Sequence, residues 1–229
     1  MKYDICVVGL GYVGLPLAHA LAKAGNTVSG LDINTKRVEE LTSGSDSTGE
    51  LSDDQLKDVS IAFSTDPACI KEVDIVILAI PTPVDGKNKP DLIFLKAATQ
   101  TVGENLKKGT IVVYESTVYP GTTEEICGPI LEEASGMKSG SDFTLGYSPE
   151  RINPGDKEHT VDKIVKVVAG QDEKTADVLC DLYKAVSKDV HRAQSIQVAE
   201  MAKAIENAQR DLNIAFVNEI AMMCNKMDI

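Results

Sequence analysis

The pattern Gly9-Leu10-Gly11-Tyr12-Val13-Gly14 sits between a short apolar run and a segment with helical spacing. A tight turn at the first glycine, bare backbone at the second and close helix–strand packing at the third would let a helix N-terminus meet a pyrophosphate. Gly9, Gly11, Tyr12, Val13 and Gly14 are therefore candidate cofactor contacts. Asp32 ends a second apolar run 18 residues beyond Gly14. An acid at that spacing accepts the adenosine ribose hydroxyls and repels a 2′-phosphate, which favours NAD over NADP. Arg37, close behind it, has the chemistry to accommodate such a phosphate instead. Pro81-Thr82-Pro83 and Glu115-Ser116-Thr117 each follow a β-rich run. Open α/β sheets gather ligand contacts at strand C-termini, so Pro81, Thr82, Ser116 and Thr117 join the candidates, although Thr-Pro is equally a turn device.

A second set of polar residues lies further along the chain. Ser148-Pro149-Glu150-Arg151 follows another β-rich run, and Glu200, Lys203, Asn207 and Arg210 recur on a segment of helical composition. On a helical wheel Asn207 falls about 40° from Lys203, Arg210 about 20° to its other side and Glu200 about 60° away, which makes one polar stripe. That polar stripe runs beside the apolar face of the same helix. The residues alone equally allow a solvated face with a Glu200–Lys203 pair and an exposed loop acid at Glu150. They also allow an Arg151 that caps local structure instead of gripping a phosphate. His19, His159 and His191 have no partner spacing and read as structural or exposed.

The elements that must position these groups alternate. Strands are expected at 3–8, 27–31, 61–64, 75–80, 110–114 and 143–147, with helices at 13–24, 36–42, 91–106 and 122–134 and a polar loop at 42–54. Runs such as ICVV and IVILAI lack polar alternation, so the sheet is covered on both faces and parallel. Strand–helix–strand repetition then gives a doubly wound, mostly parallel α/β sheet of Rossmann type. A strand at 164–169, a helix at 173–186 and a strand at 189–191 extend it. From Ser195 onward there is neither Gly nor Pro, and apolar residues recur at helical spacing. One connecting helix of about 35 residues, or ~50 Å, follows, against a typical ~11–12 residues. The expected division is a nucleotide-binding domain over 1–193 and the start of a long central or dimerisation helix over 194–229.

The 229 residues carry 23 basic and 35 acidic side chains, a net charge of −12. That argues against wrapping nucleic acid or lying on an anionic membrane, both of which need clustered Lys and Arg. It leaves an anionic small ligand open, because backbone N–H groups act locally. No apolar run reaches the ~18 residues of a membrane span, and the glycine-broken amino terminus reads as strand–turn–helix, not a signal peptide. Cys6, Cys69, Cys127, Cys180 and Cys224 are scattered and lack a C-x-x-C pair. They read as reduced thiols of a cytoplasmic protein, forming neither a disulfide framework nor a metal site.

Taken in order, Gly9-Leu10-Gly11-Tyr12-Val13-Gly14-Leu15-Pro16, Pro81-Thr82-Pro83, Glu115-Ser116-Thr117-Val118, Ser148-Pro149-Glu150-Arg151, Glu200-Met201-Ala202-Lys203 and Glu206-Asn207 resemble the UDP-glucose/UDP-N-acetylmannosamine dehydrogenase family. The stretches YESTVYPGTTEE and YSPERINPGDKEH are similar to the bacterial UDP-N-acetylhexosamine (GlcNAc/GalNAc) 6-dehydrogenases of Vi-antigen type. The resemblance implies oxidation of a sugar C6 alcohol to a carboxylate with two NAD+, through an aldehyde and a cysteine thioester, for surface-polysaccharide synthesis. It implies that Thr117 holds a water, that Glu150 acts as base or water activator, and that Lys203 and Asn207 donate to the C6 oxyanion. Arg151 and Arg210 join Glu150, Lys203 and Asn207 as implied substrate contacts, and the long helix is implied to form a homodimer core through residues such as Phe216, Ile220 and Met223. The family's nucleophilic cysteine belongs to a glycine-rich segment downstream of the helix, and none of the five cysteines matches it. The chain is accordingly expected to be an amino-terminal part that binds NAD without completing the oxidation. Competing readings are a 3-hydroxyacid or 6-phosphogluconate type of dehydrogenase, which shares the helix Lys and Asn, and a standalone NAD-binding or dimerisation module. The SPER and EST segments speak for the UDP-sugar family.

Overall fold

The uninterrupted apolar runs Ile5-Cys6-Val7-Val8 and Ile75-Val76-Ile77-Leu78 are buried on both faces and form neighbouring interior strands. A computed structural model describes residues 2–150 and 163–229. In chain order the elements are β1 (Asp4–Val8), α1 (Gly14–Lys23), β2 (Thr27–Leu31), α2 (Thr35–Thr42), α3 (Asp53–Lys57) and β3 (Ile61–Ser64). A 3₁₀ turn at Pro67–Glu72 leads to β4 (Ile75–Leu78), α4 (Ile93–Asn105) and β5 (Ile111–Tyr114). A π-helical stretch, Thr122–Cys127, runs into α5 (Gly128–Ser135), followed by β6 (Thr144–Tyr147), β7 (Val165–Gly170), α6 (Glu173–Lys184), β8 (Asp189–Arg192) and α7 (Ile196–Met227).

The strands form one sheet in the order β3-β2-β1-β4-β5-β6-β7-β8. The six strands from β3 to β6 are parallel, as the unalternating runs require, and the chain order reverses between β1 and β4. Ligands bind at such a reversal, beyond the strand C-termini. β7 runs antiparallel to β6, with Gly146 opposite Gly170 and Tyr147 opposite Ala169. Carrying that register past Tyr147 sets Lys166 opposite Glu150. One core face packs the sheet against α4 and α5, and the other packs it against α1 and α6. A smaller cluster of Leu10, Leu15, Leu41, Leu51 and Leu56 seats α2 and α3 beneath the glycine loop.

The 42–54 segment is a loop as far as Ser52, where Ser52 and Gln55 form a capping box that starts α3, a reciprocal pair that satisfies two otherwise orphaned N–H groups. One local expectation needs correcting. The 122–134 helix opens with the π-helical stretch before becoming α-helical. The long helix spans 32 residues, with the Ser195 hydroxyl capping it by accepting from Val198 N–H. Only Ile196, Ala199, Glu200 and Lys203 of this helix are buried, and residues 208–223 are all exposed. No helix among the described residues is long and apolar enough to cross a membrane.

Candidate functional site

Gly9 adopts φ +91°, a left-handed conformation that disfavours any side chain, and a Cβ on Gly14 would lie 1.8 Å from Gly9 O. Those two positions make the turn and the close helix–strand approach. At Gly11 a Cβ would meet no heavy atom within 4 Å, so the open side of the loop is the space that a bound phosphate needs. Gly11 and Tyr12 are exposed there and Val13 is half-buried, at the N-terminus of α1. Asp32 follows β2 directly; its Oδ2 accepts from Leu10 N–H at 2.9 Å and its Oδ1 from Asn34 N–H at 2.9 Å. The acid is thus fixed beside the glycine loop, and the residues present fit a dinucleotide: the loop would hold the pyrophosphate and Asp32 the adenosine ribose.

Arg37 is buried beneath this cradle. Its Nε donates to Leu10 O at 2.9 Å, and its guanidinium pairs with Asp46 at 2.7 Å and Glu40 at 3.3 Å. The same side chain reaches the Thr48 hydroxyl, so its donors are spent on bracing the loop. At the ends of β4 and β5, the Ser116 hydroxyl donates to Ile80 O at 2.7 Å and the Thr82 hydroxyl donates to Thr117 O at 2.6 Å. These bonds tie the two strand ends together, leaving Pro81 and Thr117 exposed and Thr82 half-buried at the same edge.

The segment after β6 carries Glu150, which is buried instead of lying on an exposed loop. Facing it is Lys166 of β7, itself fully buried, with Nζ 3.6 Å from Glu150 Oε2 and 2.7 Å from Glu115 Oε2. Tyr183 of α6 donates its hydroxyl to Glu115 Oε1 at 2.5 Å, and its ring centroid lies 5.2 Å from the ammonium. Burial pushes the Glu115 carboxyl above its ordinary range, countered by Lys166 and reinforced by Glu150. Burial opposes the charge on Lys166, yet the two carboxylates outweigh it and hold its pKa above the ordinary lysine value. Lys166 did not figure among the sequence candidates. The one signal for it was a lysine inside the apolar run Ile164-Val165-Lys166-Val167-Val168.

Helix α7 reaches the site through Glu200. Its fully buried carboxylate accepts from Gly121 N–H at 2.6 Å and Thr123 N–H at 2.9 Å, where the segment after β5 turns into the π-helical stretch. This fixes the first turns of α7, so Lys203 is buried, Asn207 half-buried and Arg210 exposed, the last within 3.5 Å of Glu206. Arg151 and His159 lie outside the described residues. His19 is buried, its ring within hydrogen-bonding distance of Gln55 O, and burial lowers its pKa. Burial pushes the Cys127 thiol up to about 11 and also raises Cys180. Cys6 and Cys69 lie with sulfurs 3.8 Å apart; Cys6 is pushed up by its bond to Cys69 and by burial, and Cys69 is lowered by that same bond. Among the described residues no group of three His, Cys, Asp or Glu is placed to hold a metal ion.

The chain matches two family models: the NAD binding domain of the UDP-glucose/GDP-mannose dehydrogenase family over residues 3–187, and the central domain of the same family over residues 197–229. It is 51% identical to protein CapL of Staphylococcus aureus over all of this chain and 54% of that protein. It is 50% identical to a UDP-N-acetyl-D-glucosamine 6-dehydrogenase of Pseudomonas aeruginosa, covering 98% of this chain and 54% of that one. The solved structure of a UDP-D-ManNAc dehydrogenase from Pyrococcus horikoshii superimposes with a TM-score of 0.91 at 33% identity, over 99% of this chain and 55% of that chain. The chain spans about half the length of the curated relatives it matches. With the glycine cradle and Asp32 lying inside the matched NAD binding domain, and α7 inside the matched central domain, the chain belongs to the UDP-glucose/GDP-mannose dehydrogenase family.

Proposed function

We propose that this chain supplies the NAD half and part of the catalytic edge of a UDP-N-acetylhexosamine 6-dehydrogenase, which oxidises the sugar C6 alcohol to the uronic acid for surface-polysaccharide synthesis. The observation that carries this reading is that Glu150 and the glycine cradle stand on one edge of the sheet, beyond the C-termini of β6 and β1. The half-length identity to a UDP-N-acetyl-D-glucosamine 6-dehydrogenase supports the choice of sugar. NAD+, when bound, accepts hydride from C6. Glu150 takes the hydroxyl proton or activates the hydrolytic water, which Thr117 holds. Lys203 and Asn207 donate to the oxygen on C6 as its charge develops. Arg151 and Arg210 meet the anionic or polar parts of the nucleotide sugar. The protein works in the cytoplasm, where both NAD+ and nucleotide sugars are made. It pairs with a second copy along α7, with 1–193 as the nucleotide-binding unit and 194–229 as the start of the central helix.

Calorimetric titration tests the cofactor half. NAD+ should bind, bind more tightly than NADP+, and lose at least about tenfold in affinity in Asp32→Ala, in line with the loss of hydrogen bonds to a charged acceptor. Absence of NAD+ binding to the folded chain would refute the reading. The sugar half is tested by supplying UDP-N-acetylglucosamine and UDP-N-acetylgalactosamine to the enzyme of which this chain is part and following NADH; release of NADH with neither sugar would exclude this substrate class.

A further inference from the structure

The fold sets Arg37 one residue's width from the acid expected at the adenosine ribose. Asp32 Oδ2 accepts from Leu10 N–H and Arg37 Nε donates to Leu10 O, both at 2.9 Å, so the two side chains grip the same residue of the glycine loop. The rest of the guanidinium is claimed by the segment that follows α2. Asp46 Oδ1 lies 2.7 Å from Arg37 Nη1, and the Asp46 side chain has no solvent exposure at all. Glu40 Oε1 stands 3.3 Å from the same nitrogen, and Nη2 reaches the Thr48 hydroxyl at 3.4 Å. Asp46 is itself fixed. Its Oδ1 accepts from the Thr48 hydroxyl at 2.6 Å and from Thr48 N–H at 3.0 Å. Its Oδ2 accepts from Glu50 N–H at 3.0 Å and from Leu51 N–H at 2.9 Å.

We propose that Asp46 is a positioning residue for coenzyme choice: it withholds Arg37 from the ribose, so that the cradle refuses a 2′-phosphate. A 2′-phosphate needs a charge-assisted partner, and in this kind of fold an arginine near the acid is what supplies it. Here the arginine is already neutralised. Turning it toward a phosphate would break a buried ion pair and leave Asp46 buried without its cation, a costlier loss than that of an exposed pair. Asp32 supplies the repulsion, and Asp46 removes the attraction that would offset it. Discrimination built from both elements is stronger than either alone. This inference rests on the dinucleotide reading of the cradle and adds to it a determinant outside the glycine motif.

The test titrates NAD+ and NADP+ into the full chain and its variants. Asp32→Ser removes the repelling acid but leaves Arg37 held, so NADP+ should still bind at least about fivefold more weakly than NAD+. Equal affinities in Asp32→Ser would overturn the proposal. In Asp32→Ser/Asp46→Asn the anion that holds Arg37 is gone, and NADP+ should bind at least about tenfold more tightly than to Asp32→Ser, with NAD+ changed by less than about threefold. Adding Arg37→Met should abolish that gain. A gain that survives Arg37→Met, or equal effects on both coenzymes, would make Asp46 merely structural and overturn the proposal. Glu40→Gln in the Asp32→Ser background loosens Arg37 without touching the backbone bonds to Asp46, and should give a smaller gain of the same sign. A last readout needs no coenzyme. The Arg37 Nε–H signal in a 15N spectrum, assigned by its loss in Arg37→Lys, should be protected from solvent exchange, and exchange as fast as in free arginine would overturn the proposal. Failure of NAD+ to bind the unaltered chain would instead refute the proposed function.

Discussion

Replacing Glu200 tests how the long helix is held to the nucleotide-binding sheet. The side chain is fully buried and makes two bonds to backbone N–H groups 79 and 77 residues away, at 2.6 and 2.9 Å. Both donors are charge-assisted and both lie in buried residues, Gly121 and Thr123. A hydrogen bond to a charged group contributes about 1.5–3 kcal/mol net, and a buried donor left unmade costs a similar amount. Glu200→Ala abandons both donors and should cost roughly 3–6 kcal/mol, a large share of the ~5–15 kcal/mol that holds a domain together. Glu200→Gln keeps the shape and one acceptor oxygen but turns an NH2 group toward the second donor, so about half of that loss is expected. Urea unfolding followed by circular dichroism gives the free energies, and amide exchange read residue by residue shows where protection is lost. The loss in Glu200→Gln should concentrate at 196–203 and 121–123, with NAD+ affinity changed by less than about twofold, since the cradle lies elsewhere on the edge. A Glu200→Gln chain as stable as wild type, with unchanged protection at those residues, would refute the idea that this carboxylate docks the helix.

Three further outcomes follow from the same geometry. Burial alone would raise the pKa of Asp46, but bonds from the Thr48 hydroxyl, Leu51 N–H and Arg37 hold it below the usual value. A depressed folded value means its contribution is complete above the unfolded carboxylate pKa of about 3.9 and drains away as pH falls through the lower folded value. Urea midpoints should therefore drop less steeply below about pH 4 in Asp46→Asn than in wild type, and parallel acid limbs would argue against this linkage. At the glycine loop, Gly14→Ala drives a Cβ to 1.8 Å from Gly9 O and should destabilise by about 1–3 kcal/mol, whereas Gly11→Ala meets nothing and should fold normally yet bind NAD+ at least about tenfold more weakly. Isothermal titration of a folded Gly11→Ala chain that binds NAD+ like wild type would remove Gly11 from the site. On α7, Phe216 and Ile220 are 66% and 39% exposed, and charging both to Glu should shift the chain toward monomer in sedimentation velocity; unchanged association would place the contact elsewhere.

Much of this fold could be read from periodicity because the interior strands leave no ambiguity. Ile5-Cys6-Val7-Val8 and Ile75-Val76-Ile77-Leu78 have no polar residue to face solvent, so both sides must be covered, and parallel pairing with helical crossovers is the standard way to do that. The glycine loop was equally legible, because Gly9 and Gly14 are required by backbone geometry and not by side-chain partners. What escaped was local reciprocity. The helix α3 depends on Ser52 and Gln55 bonding each other across three residues, a signal easily lost in a stretch rich in Ser, Asp and Gly. Arg37 reads in sequence as a cation free to meet a phosphate, and only the folded loop shows that Leu10 O and Asp46 claim it first.

The acid at position 150 marks the limit of motif reading more sharply. Ser-Pro-Glu-Arg points to Glu150, but nothing in that motif shows that its side chain is buried beside a lysine from a later strand. Lys166 Nζ lies 3.6 Å from Glu150 Oε2, and that placement depends on the reversal of β7 against β6. Had β7 continued the parallel order, Lys166 would begin its strand at the opposite edge, away from Glu115 and Glu150. A lysine in an apolar strand is costly unless paired, so its presence in Val165-Lys166-Val167-Val168 already implies a buried anion within reach. Two glutamates separated by 35 residues in sequence, Glu115 and Glu150, satisfy that demand only when the strand direction is known. Substitutions that disturb the β6–β7 pairing at Gly146 or Gly170, where a Cβ would meet Leu179 at 2.3 Å or Ala176 N at 2.4 Å, should therefore shift Lys166 relative to Glu115 and Glu150 without touching any of the three.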